Sequence, residues 1–305
     1  MSSLLSKAKS GTQPGGRPPA AVELAPEGVL AAALPGSGQS PVYAFEPLTA
    51  GALAPGVAEA NLHKPEAVAA AIRKALDEVS PRTHAVTLVL PDKAVRVFVL
   101  DFDALPGKAA EAVPVLRFRL RKMVPFDVEH AGLSYQILSE DKTECRVLAA
   151  VIPAPILAEY EDAVRSAGYE PGAVLPSSLA ALAALDSPEP VLAACLSDTA
   201  LTTSITRGQD LLLYRTLELP EDAAQRLPEV QRGIAVASAY YEDKLAKRPR
   251  QIHYAGKGTA AEFARWINDP ELAVTELTTR PETGATTALG NLSFAGLAGA
   301  LAGAR

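Results

Sequence analysis

Apolar residues recur every three to four positions in several stretches of this chain, and this period predicts amphipathic helices. The clearest predicted helix spans Pro65–Val79. A proline suits its first position, where the missing N–H costs no hydrogen bond. Its apolar stripe is formed by Val68, Ile72, Leu76 and Val79. We therefore expect one face of this helix to pack against a core.

The stretch from Leu100 to Pro171 has the pattern helix, strand, strand, helix. Its first helix carries an apolar stripe, formed by Leu116, Leu120, Met123 and Val124. Pro125 cannot continue a helix, so this helix should end near Met123. The later elements are predicted over Leu133–Leu138, Arg146–Ile152 and Pro155–Ala167, with Gly168 closing the last.

The remaining pattern repeats an order of strands followed by helices. Further strands are predicted over Ala20–Leu24, Val29–Leu34, His84–Leu90, Ala94–Leu100, Val191–Leu196, Leu201–Arg207, Leu211–Leu219, Gln251–Tyr254 and Ala273–Leu277. Further helices are predicted over Pro176–Leu185, Glu221–Leu245, Thr259–Ile267 and Thr286–Arg305. Glu221–Leu245 is predicted to form either one long helix or two, because Pro228 favours a break near Leu227. Two such clusters, separated near Pro188 and Pro190, predict an α/β protein with two halves.

Composition narrows the class of protein. The chain is 48% hydrophobic and 21% charged, which is typical of a globular protein. Its net charge of −6 argues against a general nucleic-acid-binding surface. Cys145 and Cys195 lie in apolar runs and are expected to be reduced core thiols. The four histidines are far apart, and no Cys/His ligand spacing occurs, so no metal site is predicted.

The N-terminal residues 1–19 are rich in Ser, Gly, Pro and Lys, and this composition predicts a flexible arm. The arm lacks the apolar centre of a secretory signal. No stretch approaches the roughly 20 apolar residues of a membrane-spanning helix. We therefore expect a cytoplasmic protein that reaches a membrane only through a partner.

The segment RLRKMVPFDVEHAGLSYQIL, followed by CRVLAAVIPAPILAEYEDAVRSAGYEPGAVLPSSLAALAAL, resembles the PilM-type family of actin-like proteins in the type IV pilus inner-membrane platform. Related proteins occur in type II secretion. The upstream run VTLVLPDKAVRVFVL fits the same family pattern. The resemblance covers the chain from about Pro19 onward and is strongest over Ala85–Leu185.

This resemblance implies an actin-like (ribonuclease H-like) two-half α/β fold. Residues 20–185 would form the first half, with a small inserted α/β subdomain at about 101–168. Residues 190–305 would form the second half.

In actin-like ATPases, two Asp/Gly hairpins and a Gly-rich loop hold the nucleotide, because glycine lets backbone N–H groups approach phosphates. The first hairpin, Val22–Gly28, has no Asp and no hydroxyl residue, and Pro26 removes a donor. The second hairpin keeps a polar pair without glycine, and the third element has two glycines. The resemblance thus implies these nucleotide-binding candidates: Asp198, Thr199, Gly256, Lys257 and Gly258. An ordinary polar turn is the competing interpretation at each hairpin.

No catalytic residue is predicted, and other enzyme motifs are missing from the sequence. We therefore expect a pseudo-ATPase that is not an enzyme. ATP binding at the third loop is left open. The alternative is an active actin-like ATPase that regulates a membrane-bound partner.

Four positive charges fall within six residues at Arg117, Arg119, Arg121 and Lys122. They predict either a solvated helix face or a surface for an anionic peptide or lipid headgroups. By resemblance, a groove near Val95–Leu100, Arg117–Phe126 and Ala20–Leu24 would capture the short cytoplasmic tail of a PilN-like bitopic membrane protein. The implied partner-binding residues are Val95, Val97, Arg117, Arg121, Lys122 and Phe126. The predicted function is a cytoplasmic assembly scaffold of a pilus or secretion platform.

Overall fold

The computed structural model describes residues 16–36, 39–185, 187–208, 210–278 and 292–304. Within them, the first five-stranded sheet is built from β1 (Ala20–Ala25), β2 (Gly28–Ala33), β3 (Val42–Pro47), β4 (Ala85–Leu90) and β8 (Glu170–Pro176). Its spatial order is β3-β2-β1-β4-β8. The first three strands are antiparallel, and β4 and β8 continue the sheet in parallel.

Helices cover both faces of this sheet. The helices concerned are α1 (Pro65–Val79), α3 (Ala154–Ser166), α4 (Ser177–Leu182) and α7 (Ala295–Ala302). Helices α1 and α3 share one core with the sheet, while α4 and α7 lie in the core that faces the second half. The bounds of α1 agree with the helix predicted from the apolar stripe.

The second half repeats the same topology. Its strands are β9 (Pro190–Leu196), β10 (Ala200–Arg207), β11 (Asp210–Glu218), β12 (Gln251–Gly256) and β13 (Ala273–Glu276), and its helices are α5 (Ala223–Leu245) and α6 (Ala260–Ile267). The order β11-β10-β9-β12-β13 matches the first sheet strand for strand, with the same directions. This repetition is the two-half architecture that the sequence predicts.

A third sheet is inserted between β4 and α3. It consists of β5 (Arg96–Phe102), β6 (Gly132–Glu140) and β7 (Cys145–Ile152) in the antiparallel order β5-β7-β6, with α2 (Ala109–Leu120) on one face. Leu100, Val147 and Val151 face α2, whereas Val99 and Leu148 face the core shared with β11. These elements span residues 96–152, so the sheet begins before the predicted insert at about 101–168. Helix α3, which that range included, packs on α1.

Both outer strands of the first sheet were missed by the sequence analysis. Residues 42–47 and 170–175 carry no apolar alternation strong enough to predict β3 or β8, and Pro171 and Pro176 indicate a loop. An edge strand has one unpaired side, so it tolerates residues that cannot donate to a ladder. The prolines of this sheet accordingly lie in its two outermost strands.

For one helix the structure decides between the two predicted alternatives, and for another it changes the predicted start. Helix α5 is continuous through Pro228, because a proline removes only one backbone hydrogen bond while Val230, Ile234 and Tyr241 remain packed in the core. Helix α7 begins at Ala295, and Leu292–Phe294 are not helical. The rest of the predicted start of this helix lies outside the described residues.

Most of the predicted flexible arm also lies outside the described residues. Its final part is attached to the fold. The Arg17 guanidinium donates a hydrogen bond to the Gly299 carbonyl in α7 at 3.3 Å.

Helices α4 and α7 approach so closely that only glycine fits at one position between them. A Cβ at Gly299 would lie 1.8 Å from the carbonyl oxygen of Ala180. We expect Gly299→Ala to lower the free energy of unfolding by about 3 kcal/mol, because backbone must move to admit the methyl group. Urea unfolding measures this change.

Gly56→Ala is the matched control, since a Cβ at Gly56 has no neighbour within 4 Å. This variant should unfold within about 0.5 kcal/mol of the parent. Equal stability of the two variants would contradict the close approach of α4 to α7.

Candidate functional site

The candidate site is the cleft between the two halves, at the carboxyl ends of β1, β4, β9 and β12. Crevices at this end of an α/β sheet are the usual ligand positions. Two hairpin turns, the loop after β12 and a short 3-10 turn at Asp92–Ala94 meet there. They surround a cavity of about 110 Å³.

An ion-pair network closes the outer part of the cleft. The Lys257 ammonium lies 2.6 Å from a carboxylate oxygen of Asp198 and 3.8 Å from one of Glu27. Arg226 approaches Asp198 at 3.8 Å. Lys257 and Asp198 belong to the second half and Glu27 to the first, so the network bridges the halves.

The two carboxylates of this network differ in their pKa. Burial raises the pKa of Asp198, but the hydrogen bond and charge of Lys257 outweigh it, and the net pKa is lowered. Burial raises the pKa of Glu27, and the charge of Asp198 adds to that shift. The network therefore keeps Asp198 ionised, and Lys257 is already engaged by carboxylates of this chain.

Beneath this network, Glu23 of β1 is only 8% exposed. One of its oxygens accepts a hydrogen bond from the Ser177 hydroxyl at 2.5 Å. The other lies against the first turn of α7, where a Cβ at Gly296 would come within 2.5 Å of it. Burial raises the pKa of Glu23 to about 7, and the charge of Asp92 adds to that rise against the Ser177 hydrogen bond.

Asp92 joins the two halves through hydrogen bonds. It accepts from the Ser178 backbone N–H at 3.0 Å, from the Ser178 hydroxyl, and from the Thr202 hydroxyl at 3.3 Å. Thr202 belongs to β10 of the second half, where it also bonds the Thr216 hydroxyl at 2.9 Å. Burial raises the pKa of Asp92, and the hydrogen bonds oppose that rise.

The cysteines carry no chemistry in this cleft. Cys195 lines the cavity as a free thiol, and its burial, together with the charge of Asp92, raises its pKa to about 12. Cys145 is a separate buried free thiol in the inserted sheet. Cys145 is buried as predicted, whereas Cys195 is half-buried at the cavity wall. Among the residues described, no cluster of His, Cys, Asp and Glu side chains could hold a metal ion.

The structure brings the predicted nucleotide residues to one edge of the cleft, but other roles explain several of them. Gly256 has φ +149°, and a Cβ there would lie 2.2 Å from the Leu196 carbonyl oxygen, so the close approach of β12 to β9 requires glycine. Gly258 has φ +83°, which also favours glycine. Thr199 lies in the β9–β10 turn, where its N–H donates to the Ser197 hydroxyl at 3.3 Å.

The loop after β12 leads into a helix whose first turn is already capped. The Thr259 hydroxyl accepts from the Glu262 N–H at 3.2 Å, and the Glu262 carboxylate accepts from the Thr259 N–H at 2.7 Å. A second cavity of about 510 Å³ lies beside this loop. Its lining includes Arg226, Arg265 and Trp266.

The inner cavity is small and lined by acidic residues. Small-molecule sites usually span about 300–1,000 Å³, and this cavity is below that range. Glu23, Glu27 and Asp92 line it, and each of these carboxyl groups repels phosphates when it is ionised. The serine and threonine hydroxyls around Asp92 already use its oxygens.

Sequence reasoning missed Glu23, Asp92, Ser177 and Ser178 as members of this site. Their signals were an acidic residue inside an apolar strand, a Pro-Asp turn, and two serines at a helix start. Each is ordinary alone, and only the folded chain brings them together.

The predicted partner-binding residues fall into two groups. Val95 is 2% exposed within the first core, and Ala20–Leu24 belongs to β1, which is paired on both sides in the middle of its sheet. Val95 and β1 therefore offer little side-chain surface to a partner, and their place in the expected groove stays a prediction. Arg117 donates to the Ala131 carbonyl at 3.1 Å, and Arg121 pairs with Glu129 at 2.5 Å.

The other predicted partner residues lie at or near the surface. Val97 and Phe126 are half-buried, and Lys122 is exposed. Lys122 is thus available to a contact surface, whereas Val97 and Phe126 pack partly against the cores.

No protein-family model and no curated protein matches this chain. Among solved structures it is similar to one described as the PilM-PilN type IV pilus biogenesis complex, at 20% identity and a TM-score of 0.72, over 94% of this chain and 98% of that chain. It is also similar to the cytoplasmic domain of EpsL, an inner membrane component of the type II secretion system of Vibrio cholerae. That match has 14% identity and a TM-score of 0.50, over 89% and 92% of the two chains.

A third solved structure, a Bacteroides thetaiotaomicron protein with an actin-like ATPase fold, matches at 12% identity and a TM-score of 0.49, over 84% of this chain and 90% of that one. The duplicated sheet order and the first two similarities confirm the predicted actin-like fold and its PilM-type resemblance at the level of the fold. No helix among the described residues is long and apolar enough to cross a membrane.

The buried carboxyl of Glu23 predicts a pH dependence of stability. Its pKa rises from an ordinary 4.5 to about 7 on folding, so the folded protein holds a proton that the unfolded chain releases between these values. Its contribution is therefore greatest below pH 4.5 and is lost as the pH rises through about 7. The whole change corresponds to about 3 kcal/mol.

Glu23→Gln isolates this contribution, because the amide is neutral at every pH. We expect the variant to gain about 3 kcal/mol relative to the parent between pH 4.5 and just above pH 7. Urea unfolding of both proteins across this range gives the difference in stability. The contributions of Asp92 and other groups are common to both proteins and largely cancel. A difference that does not change with pH would show that Glu23 is ionised in the folded protein.

Proposed function

We propose that this chain is a cytoplasmic assembly scaffold of a type IV pilus or related secretion platform. It binds the short cytoplasmic tail of a PilN-like bitopic membrane protein and is held at the inner membrane by that partner. It does not hydrolyse ATP.

The observation that carries this proposal is the similarity to the PilM-PilN complex over 94% of the chain, with nearly the whole of that chain covered. The inserted three-stranded sheet supports it further, because it gives the first half a second surface beside the main sheet. Such a junction can hold an extended segment by main-chain hydrogen bonds and side-chain pockets.

We place the tail at the junction between the first half and the inserted sheet. Strand β6 is an edge strand that pairs only with β7 among the described strands. It begins at Gly132, where a Cβ would lie 3.1 Å from the side chain of Leu157 in α3. Leu157 is half-buried and packs on the first core. Val97 packs between both cores and marks the other side of this junction.

The tail proposal is tested by co-purifying this chain with the candidate bitopic protein, with and without that protein's cytoplasmic tail. We expect tail deletion to abolish co-purification, and Leu157→Asp to weaken binding at least tenfold, since a charge in an apolar contact costs more than about 1.4 kcal/mol. Val236→Asp is the matched control, because Val236 is 45% exposed on α5 of the other half. Unchanged recovery without the tail would refute the proposal.

The absence of hydrolysis is proposed from the ion-pair network. Lys257, the cation nearest the phosphate position in the predicted site, is neutralised by Asp198 and Glu27. The first hairpin contributes Glu27 and Pro26, which supply negative charge and no N–H donor. A phosphate there would have to displace an internal salt bridge and meet a carboxylate.

A thermal melt with and without Mg-ATP tests this part of the proposal. A ligand at about 100 times its Kd would add about 2.7 kcal/mol of stability and a visible shift in Tm. We expect no shift, and no nucleotide released from the denatured protein. Turnover of ATP that is lost in Asp198→Ala would instead support an active ATPase.

One observation favours a second outcome, nucleotide binding without hydrolysis. The cavity of about 510 Å³ beside Gly258 is large enough for a small molecule and is lined by Arg226, Arg265 and Trp266. A Tm shift with ATP that needs no magnesium and is lost in Trp266→Ala, without turnover, would identify this cavity as the site.

A further inference from the structure

Helix α2 packs on the inserted sheet with one face and presents an apolar face to the outside. Ala112, Leu116 and Leu120 are fully buried against the sheet. On the outside, Phe118 is 72% exposed, the highest value among the large apolar side chains described. Val115 in α2 and Met123 in the turn after α2 are also exposed, at 37% and 42%. A single exposed apolar residue is common, but a group of three needs an explanation.

Basic residues are interleaved with this apolar group. Arg119 lies four residues after Val115 on α2, so this pair shares a helix face, and Lys122 follows in the turn after α2. Among the described residues, no carboxylate lies within ion-pair distance of Arg119 or Lys122, whereas Arg121 is paired with Glu129. The surface therefore combines exposed apolar groups with available positive charge on a chain whose net charge is −6.

The shape of this surface favours a bilayer over a folded protein. Phe118 is mostly exposed, and the cationic residues Arg119 and Lys122 are close to it in the chain. A protruding aromatic residue flanked by cations suits the interface of an anionic bilayer, where the ring enters the headgroup region and the cations meet phosphates.

We propose that the outer surface of α2 and of the turn that follows it, formed by Val115, Phe118, Arg119, Lys122 and Met123, docks directly on an anionic lipid bilayer. This contact goes beyond the proposed function, because it does not involve the bitopic partner. With a short apolar face and two available cations the contact is weak, and stable attachment to a membrane generally takes two signals. It would orient a scaffold that a separate tether holds near the membrane.

The test uses the full chain and sedimentation with vesicles, at increasing lipid concentration. One set of vesicles is pure phosphatidylcholine, and in the other nearly half of the lipid is phosphatidylglycerol. We expect binding to the anionic vesicles only, and loss of this binding at high salt, because charges separated by more than about 10 Å are screened at 0.1 M.

Two variants and one control distinguish the apolar contribution to binding from the contribution of the charges. Phe118→Ser should weaken binding by about tenfold. Arg119→Gln with Lys122→Gln should weaken it by about fivefold for each charge and reduce its salt dependence. Val236→Ser, which removes a 45% exposed apolar group from α5, should bind like the parent. Tm values of all variants verify folding.

Failure of the parent chain to sediment with anionic vesicles, at the highest lipid concentration, would overturn the proposal. Equal binding by the Phe118 and Val236 variants would do the same. If the α2 variants lose co-purification with the bitopic partner but keep vesicle binding, the surface is a protein contact and the lipid proposal is wrong. The tail-deletion experiment is independent of all these outcomes.

Discussion

The hydrogen bonds around Asp92 are the constraint on which the arrangement of the two halves depends. This residue follows β4 in the first half, and its carboxylate receives donors from α4 and from β10 of the second half. A buried carboxylate destabilises the fold unless hydrogen-bond donors satisfy it. Separating the halves would remove donors from Asp92 and would therefore cost free energy. The Glu27–Lys257 ion pair and the pair between Arg96 and Glu218 add two further bridges.

These bridges give the cleft a different electrostatic character from that of a phosphate site. A site for phosphates offers unpaired N–H donors and a free cation. This cleft instead presents buried or half-buried carboxylates, a proline in the first turn, and a lysine paired with acids on both sides. Ion pairs within the chain connect the two halves, which is the role that a bound nucleotide would otherwise have. This is the physical basis for proposing a scaffold that is closed without a ligand.

The inserted sheet lies beside this closed core and carries the surfaces that we propose for a tail and for lipid. One of its faces packs against β11 of the second half, and the other carries α2. The sheet is therefore held by both halves, while the edge of β6 and the outer face of α2 remain accessible. A rigid body with accessible surfaces at one end suits an assembly protein better than a catalyst that must open and close. The two surfaces we propose, for a tail and for lipid, lie on this same inserted unit.

The sequence by itself determined those helices and strands whose apolar spacing reflects one buried face. Helix α1, the hairpin of β1 and β2, and the strands of the inserted sheet all follow from apolar spacing, because one face of each packs in a core. The resemblance also implied that the two hairpins depart from the Asp/Gly pattern of actin-like ATPases. The actin-like topology came from the resemblance, since periodicity does not specify strand order.

Tertiary structure alone decided the remainder. The edge strands β3 and β8 form because neighbouring strands pair with them, and their own residues carry little signal. Glu23, Asp92 and Thr202 lie up to 179 positions apart in the chain and meet only when the two halves close. Their altered pKa values come from shared burial, which is a property of the packed protein and of no segment within it.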